Sequence, residues 1–455
     1  METTSINSQG ADLPKYRGIG VGLLGAGVVG SRVAEFLLAK HSGEDLNFNH
    51  HPLTLRSILI RNPQKDREFQ IPPELVTTDP AALLENPDID LIIEVMGGEY
   101  PAADYLNRAI TNSKHVVTAN KEVMAKHGPE LLAQAAKFNV QLRFEASVGG
   151  GIPIIGPLSN NLVADDLYSI RAIINGTTNF ILSSMVRGRL SFETALEEAQ
   201  RLGYAERDPS NDIDGTDAAY KLAILASLAF QTRIHTSDIY VEGIRNLHTR
   251  DFQYASELGY AIKLLAVGKK GANDVQVRVH PTLIPKEDLL AKVEGAYNAI
   301  QIEGHLIGSV MFSGLGAGGL PTASAVLSDA LGIARHLVSQ ERAPLTDGVL
   351  QSGDPVGKTL HVQPLDELKT QYYIRLSVHD RSGVLAQIAS IMGDHGISIA
   401  SVIQKDANLS LGTAEIVITT HPSREVAMQK ALAKFRILPV VDAVESLIRL
   451  ETASL

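Results

Sequence analysis

The sequence predicts an α/β protein of three domains: a doubly wound parallel sheet, an α+β domain and a small C-terminal domain of ferredoxin-like order. Three observations support this prediction. Short apolar runs alternate with helical patterns over residues 18–145, a Gly/Pro-rich segment near residue 150 ends that alternation, and a βαββαβ order follows residue 370. The length of 455 residues is also typical of about three domains.

The first domain is predicted over residues 18–150, after a flexible N-terminus at residues 1–17. Strands separated by single helices are typical of βαβ units on a parallel sheet. The predicted strands are Ile19–Leu24, Leu53–Ile60, Leu91–Val95, Val116–Ala119 and Gln141–Glu145, and the predicted helices are Val28–Lys40, Tyr105–Ile110 and Pro129–Phe138.

The second domain, an α+β unit, is predicted over residues 151–342. It contains strands at Leu167–Ile174 and Val275–Pro281, and after a glycine turn it ends in a helix over Thr322–Val338 that is expected to return to the first domain. Residues 343–370 contain three prolines and are predicted to form a linker.

The third domain is predicted over residues 371–455. Its βαββαβ order is that of a ferredoxin-like fold. The predicted strands are Tyr373–Val378, Ile397–Gln404, Thr413–Thr419 and Val440–Ile448, and the predicted helices are Val384–Asp394 and Arg424–Phe435.

Composition favours small-molecule chemistry. The net charge of -10, with scattered Lys and Arg, provides no positive patch for nucleic acid or an anionic membrane. The absence of cysteine excludes disulfides, thiolate metal sites and cysteine nucleophiles. Residues 1–17 lack the apolar core of a signal peptide, and no later apolar run reaches about 18 residues, so we expect a cytoplasmic protein.

A glycine-rich turn follows the first predicted strand and opens a helix. In a Rossmann-like domain, such a G-x-G-x-x-G turn lets the backbone approach the pyrophosphate of a dinucleotide. The turn predicts an NAD(P) site, and a plain glycine turn in the sheet is the alternative. Its residues are Gly25, Ala26, Gly27, Val28, Val29 and Gly30.

The second predicted strand ends at Arg61, where many NAD sites carry an acidic residue for the ribose hydroxyls. An arginine here can accommodate a 2′-phosphate, which favours NADP over NAD. The polar insert His41–His51 makes the distance from Gly30 longer than the usual spacing of about 20 residues. The alternative is that Arg61 is a solvated surface residue.

Thr118 and Lys121 lie at the end of a predicted buried strand, the edge at which doubly wound folds bind ligands. A lysine there can contact a substrate oxygen or a cofactor. The alternative is a lysine in water at the start of a helix.

The residues before a long apolar helical run include five carboxylates and one lysine. Asp217 and Lys221 are four residues apart and therefore share one face of the predicted helix. A surface salt bridge is the plain interpretation, and a site for a cationic substrate with a proton-transfer lysine is the functional one. The set is Glu206, Asp208, Asp212, Asp214, Asp217 and Lys221.

Together, these segments resemble homoserine dehydrogenase over residues 18 to about 340. The matching segments are the glycine turn, Thr118–Lys121, Phe144–Pro153, Asn175–Asn179 and Gly203–Lys221, of which the last is the most specific. Residues 372–450, with Asp380–Leu385 and Gly393–Ile399, resemble an ACT domain, a class that usually binds small amino acids.

The resemblance implies reversible reduction of L-aspartate 4-semialdehyde to L-homoserine by NAD(P)H, on the route to threonine and methionine. By position, Lys221 would be the proton donor, and Asp217 would contact the substrate and orient Lys221. Glu206 would bind the substrate's amino group, since a carboxylate is the natural partner of an ammonium. Asp212 would assist it, and Lys121 would contact both substrate and cofactor.

The same resemblance implies cofactor contacts at Gly203 and Gly318 and a loop for a monovalent cation, expected to be Na⁺. A hard cation prefers oxygen ligands. The alternative is that the glycines of this loop only join two domains. The implied ligands, through main-chain oxygens, are Glu145, Val148, Gly150 and Ile152.

The ACT resemblance implies that L-threonine binds at the Asp380–Leu385 turn and inhibits the enzyme. Ser382 stands where proline is common, and the alternative is a domain that only mediates dimerisation. The substrate domain is expected to form a homodimer or homotetramer. With 17 residues before the nucleotide domain, we expect a monofunctional enzyme without a fused aspartate kinase.

Two other functions remain open. One is a non-catalytic sensor of NADP and an amino acid, which a degraded catalytic stretch would favour, although Glu206, Asp217 and Lys221 are all present. The other is a related dehydrogenase for a different amino-acid aldehyde, because the carboxylates select an amine and do not measure chain length.

Overall fold

The computed structural model describes residues 18–39, 52–65, 69–339, 360–405 and 412–451. The predictions for residues 1–17, for the insert His41–His51 and for linker residues 343–359 fall outside these ranges. None of the helices within them has the length and hydropathy needed to cross a membrane.

The first domain is a six-stranded parallel sheet in the order β3-β2-β1-β4-β5-β6, as expected for a Rossmann-like fold. The strand order changes direction between β1 and β4, and this switch point creates the crevice at which such folds bind ligands. The strands are β1 (Ile19–Leu24), β2 (Leu53–Leu59), β3 (Val76–Thr77), β4 (Leu91–Glu94), β5 (His115–Thr118) and β6 (Leu142–Arg143), and the helices are α1 (Val28–Ala39), α2 (Ala81–Leu84), α3 (Ala102–Thr111) and α4 (Lys121–Lys137).

Helix α4 begins eight residues before the sequence predicted. The predicted helix starts at Pro129, but this proline lies inside the helix of the structure. The actual start is set by Asn120, whose side chain accepts a hydrogen bond from the Val123 amide at 3.1 Å. This earlier start places Lys121 at the first position of the helix.

The second domain is built on a largely antiparallel sheet with helices against it, and its last helix returns to the first domain as predicted. The strands are β7 (Leu167–Ile173), β8 (Tyr240–Val241), β9 (Tyr260–Lys270), β10 (Asp274–Pro285), β11 (Tyr297–Gly304) and β12 (Gly308–Leu315), and the helices are α5 (Gly176–Gly188), α6 (Phe192–Arg201), α7 (Ser210–Ile213), α8 (Thr216–Phe230), α9 (Thr249–Glu257) and α10 (Gly319–Ser339). Helix α10 buries Val326 and Ile333 in the same apolar cluster as Val33 of α1.

The third domain has the predicted βαββαβ order, and its main strands are antiparallel. Residues 360–370 of the predicted linker contain two short strands that pair with β10 and β18. The elements are β13 (His361–Val362), β14 (Lys369–Thr370), β15 (Tyr372–His379), α11 (Val384–Asp394), β16 (Ile399–Gln404), β17 (Thr413–Thr420), β18 (Ser423–Arg424), α12 (Glu425–Phe435) and β19 (Val441–Leu450).

The second and third domains share one sheet, which the sequence did not predict. Strand β10 pairs in parallel with β19, with Thr282 opposite Arg449, so eleven strands form a single sheet. Buried ion pairs reinforce the junction: Arg375 donates to Asp251 at 2.8 Å, and both side chains are almost fully buried. Breaking such a buried pair is costly, so the two domains are firmly docked.

Candidate active site

The acidic cluster lies where α7 and α8 meet. Gly215, with a φ of +88°, allows the tight turn between them. Helix α8 then places Asp217 and Lys221 on one face, with exposed fractions of 3% and 8%. The functional interpretation of this pair as a buried site, and not a surface salt bridge, therefore agrees with its environment.

Asp217 lies between two lysines. Lys221 Nζ donates to Asp217 Oδ2 at 2.7 Å and to the carbonyl oxygen of Ile174 at 2.8 Å. Lys121, at the start of α4, forms an ion pair with the other oxygen, Asp217 Oδ1. The first and second domains thus each contribute a lysine to this carboxylate.

Asn175 completes this arrangement, and the sequence assigned it no role. Its Oδ1 caps α5 by accepting from the Thr178 amide at 2.8 Å. Its Nδ2 donates to Asp212 Oδ1 at 2.7 Å and to Asp217 Oδ2 at 2.9 Å. The asparagine of the Asn175–Asn179 motif could have been recognised as a helix cap, but not as the bridge between two carboxylates.

Burial and the pairing of Asp217 with Lys221 shift the pKa of each of these two side chains in opposite directions. Burial raises the pKa of Asp217, but the positive charges of Lys221 and Lys121 outweigh it and lower the net value, so Asp217 is ionised. Burial lowers the pKa of Lys221 below its ordinary 10.5, although Asp217 acts in the opposite direction. A lysine of lowered pKa is closer to the range suited to proton transfer near neutral pH.

Glu206 lies on the exposed loop beside this centre. Its negative charge, like those of Asp217 and Asp212, favours protonation of Lys121, whose pKa is raised overall against the effect of burial. The loop is fixed to α5, because Thr177 Oγ1 donates to the Tyr204 carbonyl at 2.7 Å and Tyr204 stacks on Phe180 at a ring-centroid distance of 4.5 Å. Gly203, directly before Tyr204 in the chain, is exposed and has a φ of +79°.

The two carboxylates left without a role have structural contacts. Asp208 accepts from the Ser210 hydroxyl at 2.7 Å, at the start of α7. Asp214 forms an ion pair with Arg245, which lowers the pKa of the Asp214 carboxyl. Of the five carboxylates, three thus remain at the site: Glu206, Asp212 and Asp217.

The glycine turn has the open cradle that a dinucleotide requires. A side chain at Gly27 would meet no atom within 4 Å, whereas one at Gly30 would lie 2.2 Å from the Gly25 carbonyl oxygen. Val28, at the start of α1, is 68% exposed, and Ala26 and Val29 lie beside it, both half-buried. The free amides of the helix N-terminus therefore face open space, which suits a pyrophosphate.

Gly318 lies close to this cradle. It has a φ of +122°, and the following Gly319 approaches Val28 so closely that an added Cβ would lie 3.0 Å from the valine Cγ1. The start of α10 therefore borders the glycine turn, as a cofactor-contacting position must. Arg61 is exposed directly after β2, at the edge of the same sheet.

Thr118 is fully buried, and its hydroxyl donates to Glu94 Oε2 at 2.5 Å. Glu94 ends β4 and also accepts from the Met96 amide at 2.7 Å, so it joins the loops that follow two neighbouring strands. Burial raises the pKa of Glu94, although these hydrogen bonds lower it in part. The Thr118 side chain thus orders the crevice from beneath, through Glu94.

The predicted cation loop is a 3₁₀ turn followed by glycines. The carboxylate of Glu145 is occupied by backbone amides, since it accepts from Ile154, Ile155 and Gly156 at 2.6 to 2.8 Å. Gly150, with a φ of +58°, packs against the Gly316 carbonyl. Within the described ranges no group of three His, Cys, Asp or Glu side chains is placed to hold a metal ion.

The fold and the site together are those of an NAD(P)-dependent oxidoreductase. Its C-terminal domain belongs to a class that usually binds small amino acids. The family descriptions that match are "Homoserine dehydrogenase, NAD binding domain" at residues 25–145, "Homoserine dehydrogenase" at residues 153–331 and "ACT domain" at residues 372–437. The chain belongs to the homoserine dehydrogenase family, which confirms the resemblance found in the sequence.

Relatives match over nearly the whole chain. The chain is 42% identical to a homoserine dehydrogenase of Synechocystis, covering 94% of this chain and 98% of that protein. It is also 42% identical to one of Corynebacterium glutamicum, over 95% and 96%. The crystal structure of a homoserine dehydrogenase from Thiobacillus denitrificans has a TM-score of 0.87 at 39% identity, covering 96% of this chain and 99% of that one.

A structure described as a hyperthermophilic archaeal homoserine dehydrogenase in complex with NADPH covers 70% of this chain and 98% of its own, with a TM-score of 0.58 at 28% identity. The match to the NAD-binding domain begins at Gly25, in the glycine turn whose backbone is open at Gly27. This enzyme therefore uses a nicotinamide cofactor and acts on a small molecule.

Proposed function

We propose that this enzyme catalyses the reversible reduction of L-aspartate 4-semialdehyde to L-homoserine, with Lys221 as the proton donor. The observation that carries the proposal is the buried Asp217–Lys221 pair, which Lys121 joins from the nucleotide domain with a half-exposed side chain. When bound, the dihydronicotinamide supplies a hydride to the aldehyde carbon.

The chain's own residues handle charge and protons. As the hydride adds, the carbonyl π electrons move to the oxygen, and Lys221 Nζ gives that oxygen a proton to form the alcohol. Lys221 then regains a proton from water. In the direction of homoserine oxidation the neutral lysine takes the hydroxyl proton instead.

The substrate's ammonium group is held by carboxylates. Glu206, on the exposed side of the site, is the proposed partner, with Asp212 fixed beside it by Asn175. Lys121 is the counter-charge for Asp217 and a contact for substrate and cofactor. The three acidic side chains explain why an amino aldehyde fits better than an uncharged one.

The decisive experiment follows NADPH and NADH oxidation with L-aspartate 4-semialdehyde for the wild type and Lys221→Ala. We expect kcat to fall by roughly 10²-fold or more, the effect typical of a lost general acid. Lys137→Ala, an exposed lysine at the far end of α4, is the matched control and should keep wild-type activity. Retained activity in Lys221→Ala would remove this residue from the mechanism.

A preference for NADP is also part of the proposal, because the exposed Arg61 lies two residues after β2 and an arginine in this region can accommodate a 2′-phosphate. The carbonyls of Glu145, Val148, Gly150 and Ile152 are the proposed ligands of Na⁺, in keeping with the lack of a suitable side-chain cluster among the described residues.

Regulation and assembly are further parts of the proposal. The ACT domain binds L-threonine as an inhibitor, with the exposed Asp380–Leu385 turn before α11 as the proposed carboxylate contact. The substrate domain forms a homodimer or homotetramer, and the enzyme works in the cytoplasm. Activity measured against added threonine tests the inhibition, and no change at millimolar concentrations would exclude it.

A further inference from the structure

Lys263, on β9, is a buried lysine that the proposed reaction does not use. Its exposed fraction is 5%, and no carboxylate of the described residues forms an ion pair with it. Burial lowers the pKa of Lys263 to about 8, the charge of Arg187 acts in the same direction, and that of Glu294 opposes both. A charge buried in this way is costly unless it is hydrogen-bonded. Lys263 Nζ donates to the Val293 carbonyl at 2.5 Å and to Asn179 Oδ1 at 3.2 Å.

Both acceptors lead to one loop between β10 and β11, residues 293–297, which we call the 293–297 loop. Ser183 Oγ, on α5, accepts from an amide of this loop, that of Gly295, at 3.0 Å. Asn179 Nδ2, also on α5, donates to three of its carbonyls at 2.9 to 3.2 Å, those of Val293, Gly295 and Tyr297. The buried lysine and α5 thus hold the loop together.

The same loop packs against the first residue of α5, Gly176. A Cβ added at Gly176 would lie 2.8 Å from the Ala296 carbonyl oxygen, so the two backbones are in close contact. The residue before Gly176 is Asn175, whose amide bridges Asp212 and Asp217. The position of the loop therefore limits the position of the residue that joins the two carboxylates.

The cofactor side of the site is held separately. The turn that contains Gly318 follows β12, and β12 pairs with β11 from Leu315 opposite Tyr297 to Gly308 opposite Gly304. Backbone pairing thus holds this turn. Loosening the 293–297 loop should therefore affect the substrate carboxylates and leave cofactor binding unchanged.

We propose that Lys263 is a positioning residue for the dehydrogenase reaction and acts through the 293–297 loop. Its ammonium holds the loop against Gly176, and the loop in turn keeps Asn175 between the two carboxylates that it bridges. This inference rests on the proposed reaction, because it takes Asp212 and Asp217 as groups of the substrate site. Loss of the ammonium should weaken substrate binding and slow the reaction together.

Steady-state kinetics of homoserine oxidation by the full-length Lys263→Met enzyme tests the proposal. Methionine removes the charge and keeps an unbranched side chain. We expect KM for homoserine to rise and kcat to fall, each by roughly tenfold, while KM for the cofactor stays at the wild-type value. A role in stability alone would lower Tm and leave all three constants unchanged in the folded enzyme. Lys270→Met makes the same change at the end of β9, where the lysine pairs with Asp166, and should keep wild-type constants.

Gly176→Ala disturbs the same contact from the side of α5. Its methyl group must displace the Ala296 carbonyl, so KM for homoserine and kcat should change in the same directions as in Lys263→Met. In the double variant the effects should be less than additive, because both changes disturb one contact. Fully additive effects would show that the two residues act independently and would overturn the proposal.

Hydrogen exchange measured by mass spectrometry tests the loop without any substrate. Peptides that contain residues 293–297 and 175–179 should both exchange faster in Lys263→Met than in the wild type. Faster exchange confined to residues 293–297 would overturn the link to Asn175. If Lys263→Met does not fold, Ser183→Ala, which removes the hydroxyl that binds the Gly295 amide, should also raise KM for homoserine. A wild-type KM in that variant would overturn the proposal.

The outcomes separate this inference from the proposed reaction. If the wild type oxidises homoserine and Lys263→Met keeps its KM and kcat, the inference fails and the proposed reaction stands. If the wild type does not oxidise homoserine but both peptides exchange faster in Lys263→Met, the link between the loop and Asn175 stands and only the proposed reaction fails.

Discussion

Replacing Asp217 with asparagine removes the only negative charge in direct contact with Lys221 among the described residues and keeps the side chain's shape. The Lys221 Nζ to Asp217 Oδ2 distance is 2.7 Å, and both side chains are more than nine-tenths buried, so solvent screening is weak. A pair of unit charges about 4 Å apart interacts by about 4 kcal/mol at an effective dielectric constant of about 20. Loss of this attraction removes free energy that favours the protonated lysine, so the pKa of Lys221 should fall further below its ordinary 10.5.

The sign of the change differs between the two directions of reaction. Aldehyde reduction needs the lysine ammonium, so its rate falls as pH rises through the pKa of Lys221. Homoserine oxidation needs the neutral amine, so its rate rises through the same pKa. In Asp217→Asn both transitions should move to lower pH, and at neutral pH reduction should suffer more than oxidation.

The assay is kcat as a function of pH in both directions, for protein shown to be folded by circular dichroism. Asp214→Asn is the control, because that carboxylate lies in the same loop and pairs with Arg245 at the surface. Its pH transitions should coincide with those of the wild type. A transition in Asp217→Asn that stays in place or moves to higher pH would refute the assignment of Lys221 as the acid coupled to Asp217.

Three further changes have defined outcomes. Arg61→Ala should raise KM for NADPH roughly tenfold and leave KM for NADH unchanged, since it removes a charged hydrogen bond worth about 1.5 kcal/mol or more; equal effects on both cofactors would contradict the 2′-phosphate contact. Burial raises the pKa of Glu94 above 4.5, so its ionisation destabilises the fold as pH rises above that value; Glu94→Gln should lessen this fall, as urea unfolding at pH 5 and pH 8 would measure. Arg375→Met leaves the buried Asp251 carboxylate without its cationic partner and should cost about 3–5 kcal/mol in urea unfolding; a loss below about 1 kcal/mol would mean that the pair is not essential to docking.

The sequence predicted the features that depend on near neighbours in the chain. The four-residue spacing of Asp217 and Lys221 placed both on one helix face, and the glycine turn after β1 indicated the nucleotide cradle. The other contacts of Asp217 come from Lys121 and Asn175, which lie 96 and 42 residues away in the chain. The position of Lys121 after a buried strand pointed to a ligand-binding role, but neither residue carries a local signal for its contact with Asp217.

Two other features depended on tertiary contacts and were not predicted. The pairing of β10 with β19 joins two domains that sequence patterns could only separate, because strand periodicity does not identify a partner strand. The sequence put Glu145 in the expected cation loop. It could not show that the Glu145 carboxylate is already bound by the backbone amides of residues 154–156, because that contact depends on the tertiary structure.

The docking of the ACT domain limits how an effector can act. Pulling the domain away would break the buried Arg375–Asp251 pair and the β10–β19 pairing. It would also expose Tyr373, Ile448 and Leu450, which lie in the same apolar cluster as the second domain, and burial of such a side chain is worth about 1.5–3 kcal/mol. A ligand that binds one state only, at 100 times its Kd, contributes about 2.7 kcal/mol. Such a ligand cannot undock the domain, but it can shift a loop held by a few hydrogen bonds. Control by an amino acid should therefore leave the shared sheet intact.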